Sequence, residues 1–282
     1  MKSVVITGTS TGIGRSAALL LDREGWRVFA GVRRDEDGES LRKESLDRII
    51  PIRLDVTNSL SIETSAREVE EAVGDAGLDG LVNNAGIGFG GPIEFTNLDQ
   101  MRAGFEVNVF GPIAVSQAFL PLLRRGAKDA RVVNVSSGAG KVATPMIGPY
   151  CASKFALEAI SDAMRVELRG SGIKVVVIEP GFIDTPMQGK AQKQVPEEAA
   201  ALGDAGQRYY GAAYEKLLGT FVRFGKHATS PETVARQIQR GLTAPRPRTR
   251  YTAGPDAKAL NVMTRVLPDR AKDAIFGRLL GL

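Results

Sequence analysis

One cysteine, Cys151, and one histidine, His227, are all that 282 residues contain of those two types. A lone thiol excludes an internal disulfide and fits a reducing compartment, so a cytoplasmic location is expected. A lone imidazole excludes a multi-histidine metal site; no metal is expected, and acid–base chemistry must rest on other side chains. Uninterrupted apolar runs near about 18 residues are missing, so a spanning helix and membrane contact are not expected. Nor is a signal peptide, because the apolar start Ser3-Val4-Val5-Ile6 is cut off by Thr7-Gly8. Charge of one sign is not in large excess: 37 Lys and Arg stand against 32 Asp and Glu, a net charge of +5. These basic residues are scattered among acids, so nucleic acid is not an expected partner, and an anionic cofactor explains part of the excess. What remains, 43% hydrophobic and 24% charged residues, is the composition of a globular protein with a sizeable core.

Strand-like apolar runs alternate with helix-like stretches. Residues 4–7, 27–32, 50–54, 80–83, 131–136 and 173–179 are rich in Val and Ile, as strands covered on both faces should be. Residues 12–25, 59–74, 101–125 and 153–169 are long enough to cross over between parallel strands. The alternation predicts a doubly wound α/β sheet in three layers, in one domain over residues 1–282. Between about 186 and 229 the pattern loosens into Gln, Lys, Ala and Gly around Tyr209, Tyr210 and Tyr214, which reads as a mobile helical flap or as a plain surface insertion. A helix near 231–244 precedes an extension over about 245–282, with a last strand in 245–251 and a helical tail broken at Pro268. Tail positions Leu260, Met263, Val266, Leu267, Ile275, Phe276, Leu279 and Leu280 have helical spacing, which predicts packing on the domain or a second subunit. The sharper alternative is a membrane-surface helix flanked by Arg265, Arg270, Lys272 and Arg278.

The run Thr7-Gly8-Thr9-Ser10-Thr11-Gly12-Ile13-Gly14 sits where the first strand should turn into the first helix, the place where a dinucleotide pyrophosphate binds. Gly8 permits the turn, Gly12 lets backbone approach the phosphates and Gly14 allows close helix packing. The second strand ends Gly31-Val32-Arg33-Arg34, with guanidinium groups where an acid would bind a free ribose hydroxyl. NADP(H) is therefore expected over NAD(H), with Arg33 on the 2′-phosphate; Arg34 facing solvent, or Asp35 or Asp37 reaching the ribose, are the alternatives. Asp55 and Val56 end the next strand, placed for an adenine amino group and ring, although Asp55 also suits a helix cap. Asn83-Asn84-Ala85-Gly86 would let backbone pass near the adenosine ribose, or form a simple turn. Tyr150 and Lys154, four apart, share a helix face, so the ammonium is expected to lower the phenol's pKa.

The glycine run, Asn83-Asn84-Ala85-Gly86, Tyr150 with Lys154, and Pro180-Gly181, in this order over residues 3 to about 190, resemble the short-chain dehydrogenase/reductase family. That resemblance implies a catalytic set of Asn108, Ser137, Tyr150 and Lys154, with Ser137 thirteen residues before Tyr150. Tyr150 would exchange a proton with the substrate oxygen, Ser137 would polarise it, Lys154 would bind the nicotinamide ribose, and Asn108 would orient a water feeding the lysine. The family's cofactor contacts carry over to Gly8, Ser10, Gly12, Ile13, Gly14, Arg33, Asp55, Val56, Asn83, Ala85, Gly86, Tyr150, Lys154, Pro180, Gly181, Ile183 and Thr185. Hydride transfer on the pro-S face and a homodimer or homotetramer paired through the long middle helices are implied as well. Residues 150–158 and 250–258 look like the subgroup of 17β-hydroxysteroid and retinol dehydrogenases, which suggests a bulky apolar alcohol or ketone. Candidate pocket residues are Gly138, Ala143, Phe182, Met187, Tyr209 and Tyr210. The expected activity interconverts a secondary alcohol and a ketone. Its rivals are a 3-oxoacyl thioester reductase, disfavoured by the C-terminal extension, and a cofactor-sensing regulator, disfavoured because all four catalytic candidates are present.

Overall fold

The computed structural model describes residues 1–126 and 129–282. Seven parallel strands form one sheet: β1 (Ser3–Ile6), β2 (Arg27–Val32), β3 (Ile49–Arg53), β4 (Gly80–Asn83), β5 (Arg131–Val135), β6 (Lys174–Pro180) and β7 (Arg250–Ala253), in spatial order β3-β2-β1-β4-β5-β6-β7. The order reverses between β1 and β4, and the crevice at the carboxyl ends of the strands there is where such sheets bind ligands.

Alternation along each strand divides the core. Val4, Ile6, Val28, Ala30, Val82, Val133, Val176 and Ile178 face one side, where α1 (Gly12–Arg23) and α9 (Pro231–Thr243) cover them with Ala17, Leu21, Val234 and Ile238. Val5, Phe29, Leu81, Val132 and Val175 face the other, covered by α3 (Ser59–Val73) and α5 (Gly111–Arg125) with Ile62, Val69, Val115 and Phe119. Strand residues one apart point to opposite faces, so Val-rich runs serve both layers at once. The long helix α6 (Gly148–Glu167) lies beside α5 and carries the Tyr150–Lys154 pair.

Two elements depart from expectation. A short helix α2 (Asp35–Arg42) follows β2, where the sequence offers only Leu41 as an apolar anchor; acids in its first turn suit the helix N-terminus, and Gly38 fits closely against Pro51. The helix expected over 101–125 begins earlier as α4 (Leu98–Phe105) and passes through a π-helical turn, Glu106–Phe110, before α5. This continuous helix, Leu98–Arg125, is long and apolar enough by length and composition to cross a membrane, with mean hydropathy 1.3 over its most apolar window, half of which is buried inside the domain. In the sequence, prolines, Ser116 and Gln117 interrupt its apolar run.

The flap comprises α7 (Pro186–Ala200) and α8 (Gly203–Gly225), and the extension ends in α10 (Pro255–Val266) and α11 (Asp269–Leu280), separated at Pro268. Flap and tail share a third, smaller core of Met146, Val195, Ala213, Tyr214, Leu217 and Leu280. The tail thus packs on the domain, while Val262, Val266, Ile275 and Leu279 stay exposed.

Candidate active site

The glycine turn forms as its residue types require. Gly8 and Gly12 adopt φ of 69° and 58°, which side chains disfavour. A Cβ on Gly8 would lie 2.8 Å from Ala85 Cα, and one on Gly14 would collide with the Gly8 carbonyl and the Asn84 amide. Asn84 Nδ2 donates to Thr7 O and Gly8 O at 2.9 and 3.0 Å, locking the turn to the loop after β4. Among the described residues no side chain caps the first turn of α1. Its amide groups, with Ser10 and Ile13 half-buried beside them, are thus available to an anion. Across the cleft the Thr185 methyl stands 3.0 Å from where a Gly12 Cβ would be, so the glycine turn and the segment after β6 face each other.

Beyond β2 and β3 lies a cavity of about 250 Å³ lined by Val32, Arg33, Arg53, Leu54, Asp55, Asn58 and Ser61. Arg33 is exposed and makes no hydrogen bond or ion pair among the described residues. Arg34 turns away and grips Asp37 with two bonds of 3.0 Å, and Arg53 pairs with Asp35 at 3.3 Å. Both acids that were alternatives for a ribose are thereby engaged by arginines. Asp55 Oδ1 accepts from the Thr57 amide and hydroxyl at 3.0 and 2.8 Å. Burial opposes its ionisation, but those two bonds and nearby Arg33 outweigh it and hold the carboxyl below its ordinary pKa. Val56 is buried under Gly111. The Asn83 side chain turns inward, donating to Asn134 Oδ1 at 2.8 Å and Ser116 Oγ at 3.0 Å, so only its backbone is left for a ligand.

The four catalytic candidates converge at the ends of β4 and β5. Asn108 sits in the π-helical turn, a distortion often found at functional positions, and is almost fully buried. Its amide accepts from Ile87 N and donates to Ile87 O, both at 2.9 Å, and donates to Ser153 Oγ at 3.1 Å. It therefore fixes the loop after Gly86 onto α6. Ser137 opens the turn after β5, accepting from Ala139 N at 3.1 Å and donating weakly to Pro180 O at 3.5 Å. Lys154 is buried, donates to Val135 O at 3.2 Å, and lies 3.6 Å from where a Gly86 Cβ would stand.

The expected lowering of the Tyr150 pKa by Lys154 is corrected by this geometry. Burial pushes the phenol up to about 12, with Ser137 pulling it part of the way back. Burial also pushes the Lys154 amine down to about 8, against a smaller pull from Glu158. The spacing of four places Nζ over the ring face, 5.8 Å from its centroid, and commits it to the Val135 carbonyl rather than to the phenol oxygen. At neutral pH the phenol keeps its proton.

Several pocket expectations also need correction. Tyr209 is 65% exposed under Arg208, Gly138 faces Ala257 and Leu260, and Ala143 lines a separate cavity with Phe276 and Leu282. Phe182 does sit under the flap, between Phe221 and Phe224 at 5.6 and 5.2 Å, and Tyr210 closes onto Phe95 and Glu94. Phe89, edge-on to Tyr150 at 6.1 Å, was missed. Its glycine neighbours, Gly88, Gly90 and Gly91, marked a turn but not the direction of the ring.

The short chain dehydrogenase family profile matches residues 2–196. Mouse (Mus musculus) retinol dehydrogenase 5 is 38% identical over 98% of this chain and 88% of its own, and human (Homo sapiens) 17-beta-hydroxysteroid dehydrogenase type 6 is 37% identical over 98% and 88%. An NADPH-dependent 3-dehydrocapnine reductase from Ornithobacterium rhinotracheale is 33% identical over 98% and 96%. Among solved structures, a short-chain dehydrogenase from Streptomyces avermitilis superposes with a TM-score of 0.77 at 29% identity, covering 99% of this chain and 96% of that one. A parallel sheet with an uncapped glycine turn at its switch point, and a half-buried tyrosine over a buried lysine beside it, place the chain in the company these matches describe: it belongs to the short-chain dehydrogenase family, oxidoreductases that act on alcohols and ketones with a nicotinamide cofactor.

Proposed function

We propose that this protein is an NADP(H)-dependent oxidoreductase that interconverts a secondary alcohol and a ketone on a bulky apolar substrate of the steroid or retinoid kind. The observation that carries the reading is half-buried Tyr150 over buried Lys154, with Ser137 beside the phenol, set against the glycine turn and the Thr185 segment. The bound nicotinamide would supply the hydride for reduction or accept it in oxidation. Tyr150, protonated at neutral pH, donates its proton to the carbonyl oxygen while the Ser137 hydroxyl hydrogen-bonds the same oxygen. Lys154 holds the cofactor ribose beside Gly86, and Asn108 keeps that loop and Ser153 in register. Gly8, Gly12, Gly14, Ser10 and Ile13 would hold the pyrophosphate, Asp55, Val56, Asn83 and Ala85 the adenosine, and Pro180, Gly181, Ile183 and Thr185 the nicotinamide.

Preference for the 2′-phosphate is supported by the unpaired Arg33 at the rim of the cavity beyond β2, and by the relative named as NADPH-dependent. An apolar substrate is supported by Phe89, Phe182 and the flap aromatics, and by relatives named for retinol and steroids. Phe110 and Phe155, 53% and 42% exposed on the long middle helices, support a homodimer or homotetramer. Helix Leu98–Arg125, half-buried in the domain and carrying Asn108 to the site, supports its reading as a core helix rather than a membrane span, and the lone cysteine supports a cytoplasmic location.

Turnover with NADPH and with NADH across steroid, retinoid, aliphatic and acyl-thioester carbonyls, with Tyr150→Phe as the blank, tests this. Tyr150-dependent NADPH oxidation by steroids or retinoids is expected. Preference for acyl thioesters would replace the substrate assignment, and cofactor binding without turnover on any class would leave a sensor.

A further inference from the structure

Asp256 lies in the first turn of α10, two residues past Gly254, well outside the segment that carries the family's motifs. Its carboxylate reaches away from its own helix. Oδ2 accepts from Phe182 N at 2.6 Å, and both oxygens fill the space beside Gly181 that a Cβ would otherwise take. A bond between an amide and a carboxylate is charge-assisted, and so is stronger than the neutral bonds around it. Those bonds complete the hold: Gly181 N donates to Ala253 O at 2.9 Å, Asp184 N to Thr229 O at 3.0 Å and Thr229 N to Phe182 O at 2.9 Å. One residue before Pro180, the buried Glu179 accepts from Thr252 and Asn261 at 3.2 and 2.6 Å, with Arg250 at 3.4 Å. Side chains of β7 and α10 thus supply most of the polar anchoring of residues 179–182, joined by Lys141 at 3.6 Å from Glu179 and Ser137 at 3.5 Å from Pro180 O. Shortly afterwards the chain reaches Thr185, whose methyl meets Gly12.

We propose that Asp256 is a positioning residue for the site. It acts through Phe182 N and the space beside Gly181 to hold the segment carrying Ile183 and Thr185 in line with the glycine turn. This inference rests on the reading of that cleft as a dinucleotide site. Without the carboxylate, the Phe182 amide has no acceptor and the segment is free to drift from Gly12. Adding a methyl at Gly181 displaces the carboxylate and produces the same loss, so the two substitutions are non-additive when combined.

Amide hydrogen exchange and NADPH titration of the full-length protein with Asp256→Ala and Asp256→Asn decide the matter. Asp256→Ala is expected to speed exchange at Phe182 and Asp184 at least about tenfold, to leave β1 and β4 amides unchanged, and to weaken NADPH about tenfold. Asp256→Asn keeps an acceptor oxygen and should recover most of both effects. Unchanged exchange at Phe182, faster exchange spread equally over β1 and β4, or unchanged NADPH affinity overturns the proposal. Should Asp256→Ala fail to fold, Gly181→Ala is expected to give the same local exchange pattern, and unaltered exchange there overturns the proposal. A wild-type protein that binds neither NADPH nor NADH would refute the dinucleotide reading instead, and is recognised without any Asp256 variant.

Discussion

The two sides of the cleft are built differently. On the cofactor side, turns leave the ends of strands whose residues are buried on both faces, and the glycine turn is locked to its neighbour by the Asn84 amide. On the substrate side, flap and tail helices gather around six buried residues, among them Met146 from the loop before Tyr150. The sheet side is held by two large buried clusters whose dispersion attraction no single substitution can dissolve, whereas the flap side has a small core able to open without unfolding the sheet. The side whose geometry is constant is built on strands, and the side able to adjust is built on a satellite core.

The largest expected effect tests the boundary between the two sides. Tyr150→Phe should lower turnover by about 10²–10⁴-fold while cofactor affinity, measured by titration, changes little; a comparable loss of both would make the phenol a structural group. Next, Leu81→Ala in β4 should cost about 2–5 kcal/mol in denaturant unfolding, because its cavity lies in the sheet core. Leu217→Ala in α8 should instead raise KM for bulky substrates and expose the flap to protease, with a smaller loss of global stability. Equal global losses at the two positions would erase the distinction.

A pH series sharpens it further. The folded Lys154 amine, near 8, releases its proton more readily than it does in the unfolded chain, so the unfolded chain binds the excess proton between about 8 and the ordinary lysine value of about 10.4. Stability therefore rises with pH across that window. Lys154→Met should be more stable than wild type at pH 7 by up to roughly 3 kcal/mol, the gap closing as pH approaches about 10. A gap independent of pH would mean that the lysine is not carrying a burial penalty. The smallest effect is on the open side of the cofactor cavity. Arg33→Ala should weaken NADPH about tenfold and NADH hardly at all, with Arg34→Ala smaller still because Asp37 already holds that guanidinium. Equal losses for both cofactors would make Arg33 structural.

Legibility in the sequence follows the same division. β2 and β4 coincide with the runs at 27–32 and 80–83, since Val-rich stretches bounded by Gly and polar residues have one stable use in a parallel sheet. The glycine turn and the Tyr150–Lys154 spacing were readable because backbone geometry dictates those residue types. Helix α2 was not, because five of its eight residues are charged and its anchoring comes from its own Leu41 and from Gly38 against Pro51. Nor was the direction of Tyr209 or Phe89, because neither turn composition nor helical spacing says which face a distant helix will cover. The pKa of Tyr150 was misjudged for a related reason: sequence spacing reports proximity, and burial, which decided the direction, is a property of the assembled layers.

Residues Ile183 and Thr229, at the entrance and exit of the flap, form an isolated parallel bridge beyond the strand ends. The chain therefore leaves the sheet and returns at one place, and the intervening stretch is a cassette. Beyond Thr185, which stays against Gly12, the length and composition of this stretch can change without shifting a strand, so a protein of this design alters what covers its cleft by replacing an insert.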